Sequence, residues 1–142
     1  MKENINALDE IHKGSCMGID AIKFTLDKVE DNDLKSYLEK MHQNYQNINE
    51  KIEKIYPKYN DDKPHETTVI TKTMTQMQID MKTITDKSNS KIAELLLQGV
   101  NMGIIEGRKI LNNKKVDQEV TSILEEYVNM QEKSVEILKK YL

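Results

Sequence analysis

The sequence has no tryptophan, one phenylalanine, one cysteine and two prolines. A lone Cys16 cannot close an internal disulfide, which argues against a disulfide-stapled fold and suits a reducing compartment. Long apolar runs are also missing. The longest, at Leu95, Leu96 and Leu97, is far too short to cross a bilayer. Residues 1–10 are polar and partly acidic, with no apolar segment of the signal-peptide kind, so the sequence reads as cytoplasmic. A surplus of one charge is lacking too: 21 basic and 24 acidic side chains leave a formal charge of -3. Without a basic face the chain has little to offer a phosphate backbone or an anionic lipid surface, so neither nucleic acid nor membrane is expected as a partner. No phosphate loop, dinucleotide fingerprint or zinc-ligand spacing occurs. Three histidines are too few for a haemerythrin-like oxygen site.

What is present favours helix. Lys, Glu, Ile, Leu, Met and Gln dominate, and Pro57 to Pro64 is the one plain loop signal. The 142 residues suffice for a single domain, 1–142, with its own core. Ile5, Leu8, His12, Ser15, Ile19, Ile22, Leu26 and Val29 recur at spacings of three and four, which places them on one stripe of a first helix. Asp31 and Asp33 offer an N-cap and negative charge for a second helix. Its stripe reads Leu34, Leu38, Met41, Tyr45, Ile48, Ile52 and Ile55, and Pro57 stops it. Ile70, Met74, Met77, Met81 and Ile84 mark a shorter amphipathic segment. One unbroken helix over residues 67–112 would run about 69 Å against roughly 38 Å for its neighbours, so a break or strong bend is expected near Ser88. A fourth helix carries Ala93, Leu97, Val100, Ile104 and Leu111. After a turn at residues 112–115, Asp117 and Glu119 open the last helix. Val120, Leu124, Tyr127, Gln131, Ser134, Leu138 and Tyr141 face inward on it, and Lys139 and Lys140 complement its negative end.

The chain repeats itself. Gly14, Met17, Gly18 and Ile19 realign on Gly99, Met102, Gly103 and Ile104, and Leu26 then matches Leu111. With one extra residue in the second turn, Asp31 matches Asp117, Leu38 matches Leu124, Glu39 matches Glu125 and Glu50 matches Glu136. Two hairpins, about 3–56 and 89–142, are thus joined by a crossover of about 57–88. That connectivity predicts an all-α, up-down-down-up four-helix bundle of two pseudo-twofold-related hairpins, with an extra amphipathic helix in the crossover. All five glycines (Gly14, Gly18, Gly99, Gly103 and Gly107) fall inside predicted helices, at about 0.5–1 kcal/mol each relative to alanine. Such a penalty calls for a packing role. The spacing of four predicts that the first and fourth helices cross glycine face to glycine face; room for a ligand or a partner helix is the alternative.

Glu39 and His42 form one Glu-x-x-His on the second helix. With this motif, the hairpin symmetry and the helix lengths, the whole chain resembles the ferritin-like (rubrerythrin-like) superfamily. The resemblance implies a di-metal carboxylate site for iron or manganese, with one Glu on each of two helices and Glu-x-x-His on each of the others. Here the repeat mate of the motif is Glu125 followed by Val128, so a histidine is missing. Glu39 lies off the Met41–Tyr45 stripe, His42 sits at its flank, and Glu10, Asp20, Glu94 and Glu106 also fall off the inward stripes. Half the ligand set is absent and the rest faces away. No metal or other cofactor is therefore expected, with Glu39 and His42 the weak candidates if one binds.

His12 is placed differently, on the core stripe with Ser15 one turn on, while the second hairpin offers inward Gln131 and Ser134. These four read as a buried polar layer that fixes register, or as the wall of a small-ligand or single-metal pocket. His65, beside Pro64, reads as solvated. Met74, Met77 and Met81 share a face, and thioethers are soft ligands suited to Cu(I); at stripe spacing, methionine more often fills a core or makes an adaptable docking surface. Cys16, beside the core stripe, reads as a buried, inert thiol. No catalytic constellation appears. The expected function is non-enzymatic binding or interaction, with a second copy or another helical protein as partner. The alternative is a metal-dependent oxidase or storage protein with a degenerate site.

Overall fold

The computed structural model describes residues 2–60, 64, 72–113 and 115–142, the side chains of residues 72–75 excepted. Every regular element among them is helical: α1 (Lys2–Leu26), α2 (Asn32–Ile55), α3 (Lys72–Lys82), α4 (Asn89–Asn113) and α5 (Gln118–Leu138), with 3-10 turns at Tyr56–Lys58 and Lys139–Tyr141. None of these helices is long and apolar enough to cross a membrane.

Local chemistry sets the ends. The Asp31 carboxylate accepts the Leu34 N–H at 2.9 Å, satisfying a donor that the first turn of α2 leaves open. Pro57 converts the end of α2 into a 3-10 turn. Asp117 caps α5 by backbone conformation, while its side chain accepts from the Tyr59 hydroxyl at 3.1 Å. Between α3 and α4 the chain leaves the helix over residues 83–88. Asp86 accepts from the Ser88 N–H at 2.9 Å, and Ser88 Oγ accepts from the Lys91 N–H at 3.2 Å, so this polar cluster starts a new helix rather than bending an old one. Ile70 and the rest of residues 67–71 lie outside the described residues.

The most extensive packing is α4 on α5 and α1 on α2; α1 also packs on α4, and α3 lies against both. At one end, Asn4 Oδ1 accepts from the Asp117 N–H at 2.8 Å, and Lys58 pairs with Glu119 at 2.8 Å. The start of α1, the end of α2 and the start of α5 therefore meet there. All seven stripe residues of α2 are buried, as are Val120, Leu124, Tyr127, Gln131, Ser134 and Leu138 of α5. α1 buries a wider face than one stripe, adding Ala7 and Ile11 to Leu8, His12, Ser15 and Ile22. α4 likewise adds Ile92, Leu95 and Leu96. The reason is geometric: these two helices touch each other, their hairpin partners and α3, whereas α2, with its single stripe, lies against α1 and α5.

Candidate functional site

The five glycines of α1 and α4 all line one cavity of about 80 Å³. What they face is side chains. A Cβ on Gly18 would stand 2.6 Å from the ring of Tyr45, and one on Gly14 would run into the Tyr127 hydroxyl. On Gly103 it would lie 2.5 Å from Gln131 Nε2 and 2.8 Å from Tyr127 Oη; on Gly107, 2.5 Å from Val128 Cγ2. Gly99 is different, with Met77 Cε at 3.4 Å as its near neighbour. The expected glycine-to-glycine crossing is corrected accordingly. Four of the glycines let bulky side chains of α2 and α5 lie directly on the helix backbone, a closeness that any Cβ forbids.

Tyr45, Tyr127 and Gln131 form a buried polar group in the wall of this cavity. The Tyr45 hydroxyl donates to Gln131 Oε1 at 2.6 Å, joining α2 to α5. Burial pushes the Tyr45 phenol far above its usual range, with the neighbouring Tyr127 adding to the rise. Burial also pushes Tyr127 up to about 12; its hydrogen bond with Gln131 opposes the shift, and the charges of Glu10 and Glu106 add to it. Both phenols are therefore neutral hydrogen-bonding groups at ordinary pH. The remaining walls are mostly apolar. Met17 and Met102 come from the two glycine segments, Met41 from α2, and Met77 and Met81 from α3, so five of the eight methionines line the space. Glu10, Lys13 and Glu106 also line it, and the buried Lys13 ammonium sits 3.3 Å from Glu10. Glu10 and Glu106, read from the sequence as outward, thus border the cavity because α1 and α4 present a second face to each other.

The expected polar layer does not form as one unit. Gln131 belongs to the cavity. Ser134, also buried, accepts from Tyr37 at 3.0 Å and donates to the Met130 carbonyl at 3.1 Å. Ser15 is fully buried, and its hydroxyl has no hydrogen-bond partner among the described residues. His12 is buried against α2 instead, with Nδ1 3.8 Å from Cys16 Sγ and Nε2 3.8 Å from a Glu53 oxygen. Helix geometry explains the split: residues at i and i+3 share a stripe yet point to neighbours about 60° apart. Glu39 is exposed and His42 half-buried on α2. Among the described residues no three His, Cys, Asp or Glu side chains converge as metal ligands. His65 and the side chain of Met74 lie outside the described residues.

Sequence periodicity places Tyr45, Tyr127, Met41 and Met77 on inward stripes without revealing that they meet around one space. The one signal that points there is the glycine pattern. A helix forgoes Cβ atoms where something large from another element must approach.

In fold, the chain is similar to a solved structure described as CopM in the Cu(II)-bound form. The TM-score is 0.80, over 97% of this chain and 94% of that one, at 11% sequence identity. No curated protein sequence matches it. Residues 3–114, which take in α1 to α4, match the family described as a domain of unknown function (DUF2383), and the chain belongs to that family.

Proposed function

We propose that this chain is a non-enzymatic binding protein whose ligand, a slender and mainly apolar small molecule, enters the cavity between α1 and α4. The observation that carries this reading is the lining itself: glycine and methionine walls around neutral Tyr45, Tyr127 and Gln131. Apolar walls with a few convergent polar groups are what small-molecule sites present. Methionine suits such a wall because its unbranched, polarisable side chain repacks around different shapes. The space is smaller than the roughly 150 Å³ that admits benzene. It therefore fits an alkyl chain or similar group, with the rest of the molecule reaching out past Glu10 and Glu106. A series of linear alcohols and carboxylic acids, followed by thermal unfolding and calorimetry, tests it. Saturable binding that raises the midpoint, and that Ala21→Phe in the lining abolishes, is the expected result. Chain-length-independent, unsaturable effects overturn it.

A second reading is favoured by the methionines together with the likeness to a copper-bound fold. Cu(II) prefers imidazole and carboxylate, and no three such groups converge among the described residues. Five thioethers are a donor set for Cu(I) instead. Anaerobic competition against a chromophoric Cu(I) chelator distinguishes the readings. Stoichiometric Cu(I) binding lost on Met77→Leu and Met81→Leu supports the metal; no competition removes it. The iron or manganese alternative draws little support from the exposed Glu39.

The finer architecture, a ferritin-like up-down-down-up bundle of two related hairpins, is supported by the contacts. Asp31 and Asp117, matched in the repeat, are both N-caps. Tyr45 and Gln131, separated by the same 86 residues, hydrogen-bond each other. Gly18 against Tyr45 and Gly103 against Gln131 are then equivalent contacts. A cytoplasmic setting accords with the lone cysteine. A second copy or a helical partner has exposed Ile79 and Ile105 to pack against.

A further inference from the structure

The cavity between α1 and α4 has polar atoms in its wall, and those already engaged decide what a ligand must bring. Gln131 Oε1 is taken: it accepts from the Tyr45 hydroxyl at 2.6 Å. Gln131 therefore meets Tyr127, one turn away on α5, through its amide N–H, and the Tyr127 oxygen accepts that bond. The Tyr127 proton is left over. Among the described residues no group accepts it, and none accepts the second Gln131 N–H. Both donors converge on one spot. A Cβ on Gly103 would stand 2.5 Å from Gln131 Nε2 and 2.8 Å from Tyr127 Oη, and one on Gly14 would run into the same hydroxyl. Tyr127 is 3% exposed and Gln131 2%, and both line the cavity, so water meets these donors poorly. A desolvated donor without an acceptor is costly, and the site favours a ligand that supplies one. The surrounding charge narrows the choice. Glu10 of α1 and Glu106 of α4 also line the cavity, and the charge of each acts on the Tyr127 phenol. Lys13, in the same wall, has its ammonium 3.3 Å from Glu10. The field at the two donors is thus negative and opposes an anionic acceptor. A cationic head is drawn by that field, yet has no acceptor to offer the O–H and N–H groups.

We propose that the ligand of this cavity carries a neutral carbonyl, whose oxygen accepts from the Tyr127 hydroxyl and the Gln131 amide while its alkyl arm lies along the glycine and methionine wall. This ligand class rests on the cavity being a binding site, as proposed, and narrows a slender apolar molecule to an aliphatic carbonyl compound. One carbonyl oxygen has two lone pairs and can take both donors at once. The donors are also set in series. Tyr45 donates to Gln131 and Gln131 to Tyr127, so each bond polarises the next and strengthens the O–H at the end. A ligand hydroxyl accepts as well, but it adds a proton of its own, and Gln131 Oε1 is already occupied. Binding is non-covalent, and the carbonyl is held rather than transformed.

The test uses the full chain and probes of equal chain length: a linear methyl ketone and the matching alcohol, carboxylate and ammonium, each titrated by calorimetry at neutral pH. The ketone is expected to bind at least about tenfold tighter than the carboxylate and the ammonium, and about threefold tighter than the alcohol. With an isotopic label on the carbonyl carbon, its infrared stretch in the complex is expected below that of the same ketone in hexane. Tyr127→Phe, which keeps the ring, is expected to move the band back towards the hexane position, a change that altered packing alone does not produce. Glu106→Gln, on a side chain that is 48% exposed, is expected to narrow the gap between ketone and carboxylate about twofold or more. A carboxylate or ammonium that binds as tightly as the ketone, or a bound carbonyl band at the hexane position, overturns the proposal and leaves the cavity reading standing. If no probe binds saturably, the cavity reading fails and this ligand class falls with it.

Discussion

Each interior glycine of α1 and α4 is a separate experiment on the same cost. Alanine there gains about 1 kcal/mol of helix propensity and pays in contacts according to what its methyl meets. At Gly99 the methyl meets, among the described residues, only Met77 Cε at an ordinary 3.4 Å, so Gly99→Ala is expected to raise stability by up to about 1 kcal/mol. At Gly18 the methyl would press on three atoms of the Tyr45 ring within 2.9 Å, and that ring is anchored by its hydroxyl. Gly18→Ala is expected to lose about 1–3 kcal/mol net. Urea midpoints of the two variants check both signs, and a stabilised Gly18→Ala contradicts the ring-on-backbone account. The rings themselves predict an alkaline limit. Folded Tyr127 ionises near 12 and Tyr45 higher still, whereas unfolded tyrosines ionise near 10. A raised folded value gives stability that is complete below pH 10 and lost as pH climbs towards 12. The slope is about 1.4 kcal/mol per pH unit for each buried phenol. Denaturation at pH 9 and pH 11 measures it, and Tyr127→Phe is expected to flatten it.

The elements differ in how fully their sequence declares them. α2 was legible throughout, because a helix that packs on one side shows one clean stripe between a capping aspartate and a proline. Asp31→Ala tests the cap, with an expected loss of about 1 kcal/mol in urea unfolding; Asp117→Ala, whose side chain makes no cap bond, should lose less. α1 and α4 are legible in the sequence as helices, but the width of their buried faces is not. Ile11, Lys13 and Glu10 look like flank positions from one stripe, yet α4 and α3 cover that flank and make it a cavity wall. The glycine spacing marks a close approach without naming what approaches, because sequence shows which helix lacks a Cβ and not which side chain fills the gap. The polar cluster near Ser88 was readable as a break, and became a helix start through Ser88 Oγ. His12 was readable as buried. That it turns to Cys16 and Glu53 rather than to Gln131 depends on a rotation of α1 that no period fixes.

At the scale of the molecule, two hairpins are held together by contacts that do not run along the chain. The apolar core supplies most of that adhesion without direction. Direction comes from polar bonds that cross between hairpins, and the buried one is Tyr45 to Gln131. Its removal separates two effects. Gln131→Leu leaves the Tyr45 hydroxyl buried without its acceptor and deprives Tyr127 of its partner, for an expected loss of about 2–4 kcal/mol. Tyr45→Phe removes the donor and strands only Gln131 Oε1, at about 1–3 kcal/mol. If the bond couples the hairpins, Tyr45→Phe with Gln131→Leu costs less than the two single changes added, by about 1 kcal/mol or more, since one buried polar group no longer waits for the other. The same cycle reports on cooperativity. Hairpins that share one core and one bond unfold in a single transition with an unchanged urea slope. A second transition in Gln131→Leu alone would mean that this bond, and not the surrounding core, makes the two halves one folding unit.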